Sequence, residues 1–255
     1  MKKNSRKRGH HSGKYGYDKT ERKKPRFSRE LAIIYEDDAV VAVNKPPGLL
    51  AVPVEGSDTP SALSLLMAEF KPLRQRAYVV HRIDRFTSGV LLFAKTQWDR
   101  ESLIRQFLAH TPVRQYLAVV RGHLPTKAGT LVQYFRREGQ FQKLSSERDG
   151  KAARAELTYR VECSLRGASL VRATLITGLQ NQIRVQFSAL GHPVVGDRKY
   201  HAKEATESRI DRVALHAARL RFTHPRLGQD VSIDCPLPHD FRSLIQSLKP
   251  PRADH

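Results

Sequence analysis

Cysteine is nearly missing from this chain of 255 residues, which has only Cys163 and Cys235. Two cysteines make neither a disulfide framework nor a paired C-x-x-C metal site, and such sparing use fits a reducing compartment, so a cytoplasmic location is expected. No apolar run approaches the roughly 18 residues needed to cross a bilayer, so no membrane association is expected. The basic N-terminal stretch has no apolar core behind it and is not expected to act as a secretory signal. P-loop, dinucleotide-binding and zinc-ligand patterns are also missing, so no metal or other cofactor is expected. Acidic residues are scarce: 25 Asp and Glu stand against 45 Lys and Arg, a net charge of +20. That balance favours a polyanionic partner, with nucleic acid ahead of an anionic membrane.

The positive charge is uneven. Residues 1–30 hold 12 Lys or Arg against 3 Asp or Glu, and Phe27 is their one large aliphatic or phenyl side chain. Such a segment cannot bury enough apolar surface to offset its ordering entropy, so a disordered basic arm is expected. Lys14-Tyr15-Gly16-Tyr17 within it could stack on bases, or the arm could simply solubilise the chain. Residues 31–250 are long enough for one sizeable domain, and 251–255 form a short tail. More than half of the excess charge lies outside the arm.

The most informative stretch is His81-Arg82-Ile83-Asp84-Arg85-Phe86-Thr87-Ser88-Gly89. It lies between two apolar runs, Ala77–Val80 and Val90–Ala94, and so reads as a charged loop between strands. Asp84 stands between two arginines, and nearby positive charge favours an ionised carboxylate. An ionised carboxylate is what a nucleophile or charge stabiliser at a sugar carbon requires. An Asp in a plain surface ion pair would share this setting.

Elsewhere the pattern alternates between strand and helix signals. Leu31–Tyr35 and Ala39–Val43 flank an acidic turn and read as a hairpin. Pro60–Phe70 has helical spacing behind the cap candidate Thr59, and Thr96 caps a second helix over Thr96–Ala109. Arg114–Arg121 alternates as a strand with Tyr116, Ala118 and Val120 on one face. Thr126–Gly150 is polar and basic, a loop or hairpin able to grip RNA or to lie idle in solvent. Ala155–Glu162, Ser169–Ile176, Val213–Phe222 and Asp230–Asp234 read as strands. Gln180–Leu190 reads as a helix ended by Gly191, and His239–Leu248 as a closing helix. Strands outnumber helices and neighbours are close in sequence, so the expected fold is α+β, a mixed, mainly antiparallel sheet with flanking helices.

The Asp84 stretch resembles the H-R-L-D-x-x-T-S-G signature of the RluA-type pseudouridine synthases, with Ile83 in place of Leu. Other segments follow in that family's order: Val43-Asn44-Lys45-Pro46-Pro47-Gly48, Tyr116-Leu117-Ala118 with Val120 and Gly122, and Gln182-Ile183-Arg184-Val185 after Gly178. Gly191-His192-Pro193-Val194-Val195-Gly196-Asp197 with Tyr200, and Leu215-His216-Ala217, complete the series. The resemblance runs from about Leu31 to Pro238. It implies two sub-domains about a central active-site cleft with the Asp84 loop in its floor. It also implies isomerisation of uridine to pseudouridine in a structured RNA; the basic arm tilts the expected target slightly to ribosomal over transfer RNA, and with no protein partner evident a monomer is expected.

The resemblance assigns Asp84 as catalytic carboxylate, Arg184 as its basic partner and Tyr116 as the active-site tyrosine that stacks on uracil and relays a proton. Ile183 would pack against the base and Thr87 would join the substrate site. Arg82 would fill the space left by the flipped nucleotide, or clamp a phosphate. Attack of Asp84 on the sugar, attack on the base and assistance of sugar proton loss all remain open. As residues alone, Arg184 reads as a surface helix arginine and Tyr116 as a core strand tyrosine. His192 and His216 do not form a metal set, and Ser88 shows no base partner, which sets aside a serine hydrolase. Leu179, Asn181 and Gln186 replace an Arg and two His of the family pattern, so altered RNA contacts are expected there. The competing readings are a non-catalytic RNA-binding or ribosome-assembly factor, and an aspartate-based nucleosidase, which usually needs two carboxylates.

Overall fold

The computed structural model describes residues 31–139, 141–200 and 209–250. The basic arm, the 251–255 tail and the Lys14–Tyr17 segment lie outside them. Strands β1 (Ala32–Glu36) and β2 (Val40–Lys45) precede helix α1 (Ala62–Phe70), the two-residue strand β3 (Tyr78–Val79), β4 (Ser88–Ala94) and helix α2 (Gln97–Leu108). Then follow β5 (Val113–Arg121), β6 (Ala128–Glu138), β7 (Phe141–Ser145), β8 (Ala153–Leu165) and β9 (Ala168–Leu175). Helix α3 (Gln182–Ala189), β10 (Leu215–Thr223), β11 (Asp230–Asp234) and helix α4 (His239–Leu248) complete the order.

All the described strands join one sheet in the order β1-β2-β4-β10-β5-β9-β8-β6-β7, with β3 on β4 and β11 on β10. Only β4 and β10 run parallel; the other pairs are antiparallel. The α+β expectation therefore holds. The apolar runs of β2 and β4 are continuous because both faces of these strands are covered. Val41, Val43, Leu91 and Phe93 pack with α1 through Leu66 and Phe70. Their alternates Val40, Ala42, Val90 and Leu92 face the other way, with Leu103 of α2 and Leu220 and Phe222 of β10. A third cluster joins β5, β8 and β9 to α3 and α4 through Val119, Leu157, Val171, Phe187, Phe241 and Leu244. Each such side chain contributes about 1.5–3 kcal/mol on full burial.

The Asp84 loop enters the sheet at the start of β4, where β10 crosses it in parallel with His216 opposite Ser88 and Ala217 opposite Gly89. Gly89 sits at φ 117°, and a Cβ there would lie 2.2 Å from the Ala217 carbonyl oxygen. Only glycine permits this crossing.

Two expectations need correction or refinement. Thr59 does not cap α1. Ser61 does: its Oγ accepts from the Ser64 N–H, while Ser64 Oγ accepts from the Ser61 N–H. The helix starts later because the Ala62 N–H is bonded to the Leu50 carbonyl. Thr59 instead receives a hydrogen bond from Ser57. The basic segment after Thr126 is a hairpin, β6 paired with β7 at the end of the sheet. Thr96 caps α2 as expected, accepting from the Asp99 N–H.

Candidate active site

A tight turn presents Asp84. The Thr87 N–H closes on the Asp84 carbonyl at 3.1 Å, and the loop is tied to the turn after β2 at three points. The Gly48 N–H donates to the Arg85 carbonyl at 2.8 Å, and Arg85 Nε donates to the Gly48 carbonyl at 2.9 Å. The third tie is Lys45, fully buried, whose Nζ donates to the carbonyls of Pro46, Leu49 and Arg85. Burial pushes the Lys45 ammonium down to about 7, Arg212 and Arg85 add to that, and Asp84 opposes it. The N-K-P-P-G turn therefore serves the site by fixing the Asp84 loop.

Helix α3 brings Arg184 to Asp84. Nη1 of Arg184 lies 3.3 Å from Asp84 Oδ2. The stronger carboxylate contact of Arg184 is elsewhere: Nε and Nη2 each lie 2.7 Å from an oxygen of Asp197. Burial alone would push the Asp197 carboxyl up, but the Arg184 fork and the N–H groups of Lys199 and Tyr200 hold it below its ordinary range. Two carboxylates correspondingly hold the Arg184 guanidinium above its usual range despite its burial. Asp197, buried to 3% exposure, locks the side chain that faces Asp84. Sequence reasoning quoted Asp197 within a motif without giving it a role.

The departures from the family pattern turn inward. Asn181, at φ 57° before α3, accepts Arg184 Nη1 on its Oδ1 at 2.8 Å and donates Nδ2 to Tyr200 Oη. Asparagine tolerates this left-handed position better than most residues. The Tyr200 ring lies 5.3 Å beneath the Arg184 guanidinium. Gln186 is fully buried and donates to the carbonyls of Leu131 and Ala155. Leu179 packs against the small cluster of Phe135, Ala155 and Val185. Altered RNA contacts were expected at these positions, but Asn181 and Gln186 spend their amides on Arg184 and on the sheet.

Tyr116 projects from β5 beside this pair. Burial pushes its phenol up to about 12, with Asp84 adding to the effect and Arg114 opposing it, so it is a proton donor at neutral pH. Its hydroxyl makes no hydrogen bond among the described residues, and its side chain packs against the clusters that contain Ile183 and Ile83. Ile183 is 3% exposed, mostly within the core. Arg82 is exposed. Thr87 is buried, and its Oγ1 has no hydrogen-bond partner. The structure thus pairs Asp84 with Arg184, sets Tyr116 within electrostatic reach of Asp84, leaves Arg82 exposed on the loop and buries Thr87 in its base.

Ser88 does have a base partner, contrary to the sequence reading. Its Oγ lies 2.9 Å from His216 Nδ1, and His216 Nε2 lies 3.1 Å from the Cys235 carbonyl. That carbonyl can only accept, which assigns the proton to Nε2 and makes Ser88 the donor to Nδ1. Burial pushes His216 down to about 4. Ser88 and His216 are both at most 1% exposed. The pair is a buried tie between β4 and β10, closed to substrate.

Fold, loop and charge pairing match one class of RNA-modifying enzyme, and comparison with known proteins agrees. The family model for RNA pseudouridylate synthase matches residues 39–189. An uncharacterised RNA pseudouridine synthase of Bacillus subtilis is 37% identical over 226 residues, covering 86% of this chain and 73% of the relative. Ribosomal large subunit pseudouridine synthase D of Zymomonas mobilis is 34% identical over 230 residues, with the same two coverages. The solved human RNA pseudouridylate synthase domain containing 1 superposes with a TM-score of 0.67 at 26% identity, covering 82% of this chain and 84% of the other. This chain belongs to the RNA pseudouridylate synthase family, with the RluA-type motifs already described. It is an isomerase that converts uridine to pseudouridine in RNA. Among the described residues no helix is long and apolar enough to cross a membrane.

Proposed function

We propose that Asp84 is the carboxylate that acts on the target uridine, that Arg184 aims it, and that Tyr116 supplies the ring and the hydroxyl next to the base. The observation that carries this reading is the contact of Asp84 with Arg184, a cation itself locked by Asp197. Charge-assisted bonds from a fixed guanidinium keep a carboxylate oriented before substrate arrives.

The reaction breaks the bond from uracil N1 to the sugar C1′, rotates the base and forms a bond from C5 to C1′. The proton on C5 is then lost and N1 is protonated, so no electrons or external groups are exchanged. The departing base carries negative charge and needs electrostatic stabilisation while it turns. Tyr116 is suited to a proton relay because its phenol stays protonated and has no partner among the described residues. The uridine must leave its stack to reach the loop. Arg82, exposed on that loop, is placed to meet the RNA the base has left, and Ile183 and Thr87 shape the site from beneath.

The substrate proposed is ribosomal RNA in the cytoplasm. Relatives named for the large ribosomal subunit support this choice, as does the high positive charge. The arm at residues 1–30 adds electrostatic affinity for the same RNA. Pseudouridine mapping of ribosomal and transfer RNA from cells with and without the gene tests the proposal. A site in ribosomal RNA should vanish with the gene and return with the parent chain, but not with Asp84→Asn. Loss confined to transfer RNA would overturn the ribosomal assignment.

A further inference from the structure

Three arginines are buried in the described protein, and they are not treated alike. Arg184 has the Asp197 fork, and Arg212 has a matching fork with Asp240 at 2.6 and 3.0 Å. Arg114 is 8% exposed and makes no ion pair among the described residues. Its Nη2 donates to the Ile176 carbonyl at 3.1 Å, its guanidinium lies 5.9 Å from the Phe107 ring centroid, and its Nε has no hydrogen-bond partner. A desolvated cation without a carboxylate is costly, and burial pulls this guanidinium below its ordinary range.

The position of Arg114 is informative. It lies two residues before Tyr116 on β5, with unbroken pairing to β9 (Arg114 opposite Leu175, Tyr116 opposite Ala173). The two side chains therefore share one face of the sheet, roughly 7 Å apart along the strand. The other neighbour is Gly178, exposed in the loop between β9 and α3. A Cβ on Gly178 would lie 2.6 Å from Arg114 Nη1. Gly178 has no left-handed backbone to explain it, since no positive φ occurs there. It is glycine for space, and the occupant of that space is the Arg114 guanidinium.

We propose that Arg114 is an RNA-binding residue: its uncompensated guanidinium takes a phosphodiester beside the target uridine, and Gly178 leaves the room for it. This rests on the RNA substrate of the enzyme and adds a site to it. A phosphate supplies the charge that Asp197 and Asp240 supply to the other two arginines. Guanidinium is suited to it by its planar, multiple donors.

The test is RNA affinity across a salt series, with single-turnover rates at saturating RNA and thermal melting of each variant. Arg114→Gln should bind RNA roughly tenfold or more weakly, as expected for a charged hydrogen bond. It should make the slope of log affinity against log salt shallower by roughly 0.7–0.9, the value for one phosphate. The loss should appear in affinity more than in maximal rate, because a phosphate contact serves ground and transition state alike. Arg114→Lys should restore the salt slope. Gly178→Ala keeps every charge but displaces the guanidinium, and it should weaken binding while melting like the parent. An unchanged salt slope in Arg114→Gln, or parental affinity in Gly178→Ala, overturns the proposal. So does a collapsed maximal rate with parental affinity, which would place Arg114 on the base. Turnover by the parent on the same RNA is scored separately, so a wrong choice of RNA and a wrong role for Arg114 give different results.

Discussion

Arg184 grips Asp197 through two nitrogens at 2.7 Å and touches Asp84 through one at 3.3 Å. The tight pair is structural, and the loose one is the pair proposed to face substrate. An arginine fixed by a buried fork loses the freedom to swing away from Asp84, and preorganisation of this kind is what electrostatic catalysis needs.

Asp197→Ala should therefore damage both stability and turnover. Leaving Arg184 buried without its main partner costs about 3–5 kcal/mol. The double variant Arg184→Met, Asp197→Leu should recover much of the stability, because no lone charge remains, but none of the activity. Urea denaturation and a pseudouridine assay on the three proteins separate the two roles. A double variant that regained activity would show that Arg184 does not aim the carboxylate.

Asp84→Asn should abolish pseudouridine formation while RNA binding stays within a few-fold. The change keeps size and removes charge on a side chain that is 24% exposed, so the fold should be little disturbed. Measurable multiple turnover by this variant would displace Asp84 from its proposed role.

Tyr116→Phe keeps the ring and its packing but loses the hydroxyl. Turnover should fall by roughly 10²–10⁴-fold, the usual worth of a positioned acid or base, with RNA affinity near that of the parent. Equal turnover in parent and variant would leave Tyr116 a packing residue only.

His216 makes stability depend on pH in a defined direction. Its folded value, about 4, is below the ordinary 6.5, so the unfolded chain binds the extra proton first. The stability linked to this group is complete above pH 6.5 and is lost as pH falls toward 4, up to about 3 kcal/mol for a shift of this size. Protonated Nδ1 can no longer accept from Ser88. His216→Gln should flatten this part of the stability profile, read from urea midpoints between pH 7 and 4. A variant with the parental slope would show that other groups set it.

Gly89→Ala should be strongly destabilising. The added methyl meets the Ala217 carbonyl in the one parallel pair of the described sheet, and neither backbone can move without breaking a neighbouring ladder. A soluble, cooperatively melting variant with a Tm near that of the parent would refute this.

Much of this was written in the sequence because it is local. Alternation marked β5, the Thr96 signal marked α2, and the apolar runs of β2 and β4 marked strands. The charged loop with Asp84 could be read from its position between two such runs, and motif order brought Tyr116 and Arg184 into view. Local reasoning misplaced one cap, Thr59 for Ser61, because the start of α1 is set by a hydrogen bond to Leu50, a residue outside the helix pattern. It denied Ser88 a base because His216 is 128 residues away.

Only the tertiary structure decided which charges are paired. Sequence spacing cannot show that Arg184 belongs chiefly to Asp197, that Lys45 is spent on three carbonyls, or that Arg114 is left without a carboxylate. Those outcomes depend on which loop meets which strand after the sheet has closed. Periodicity records which way a side chain points along its own element. The partner it finds there is set by packing between elements far apart in the chain, where low dielectric makes each pairing, or its absence, count.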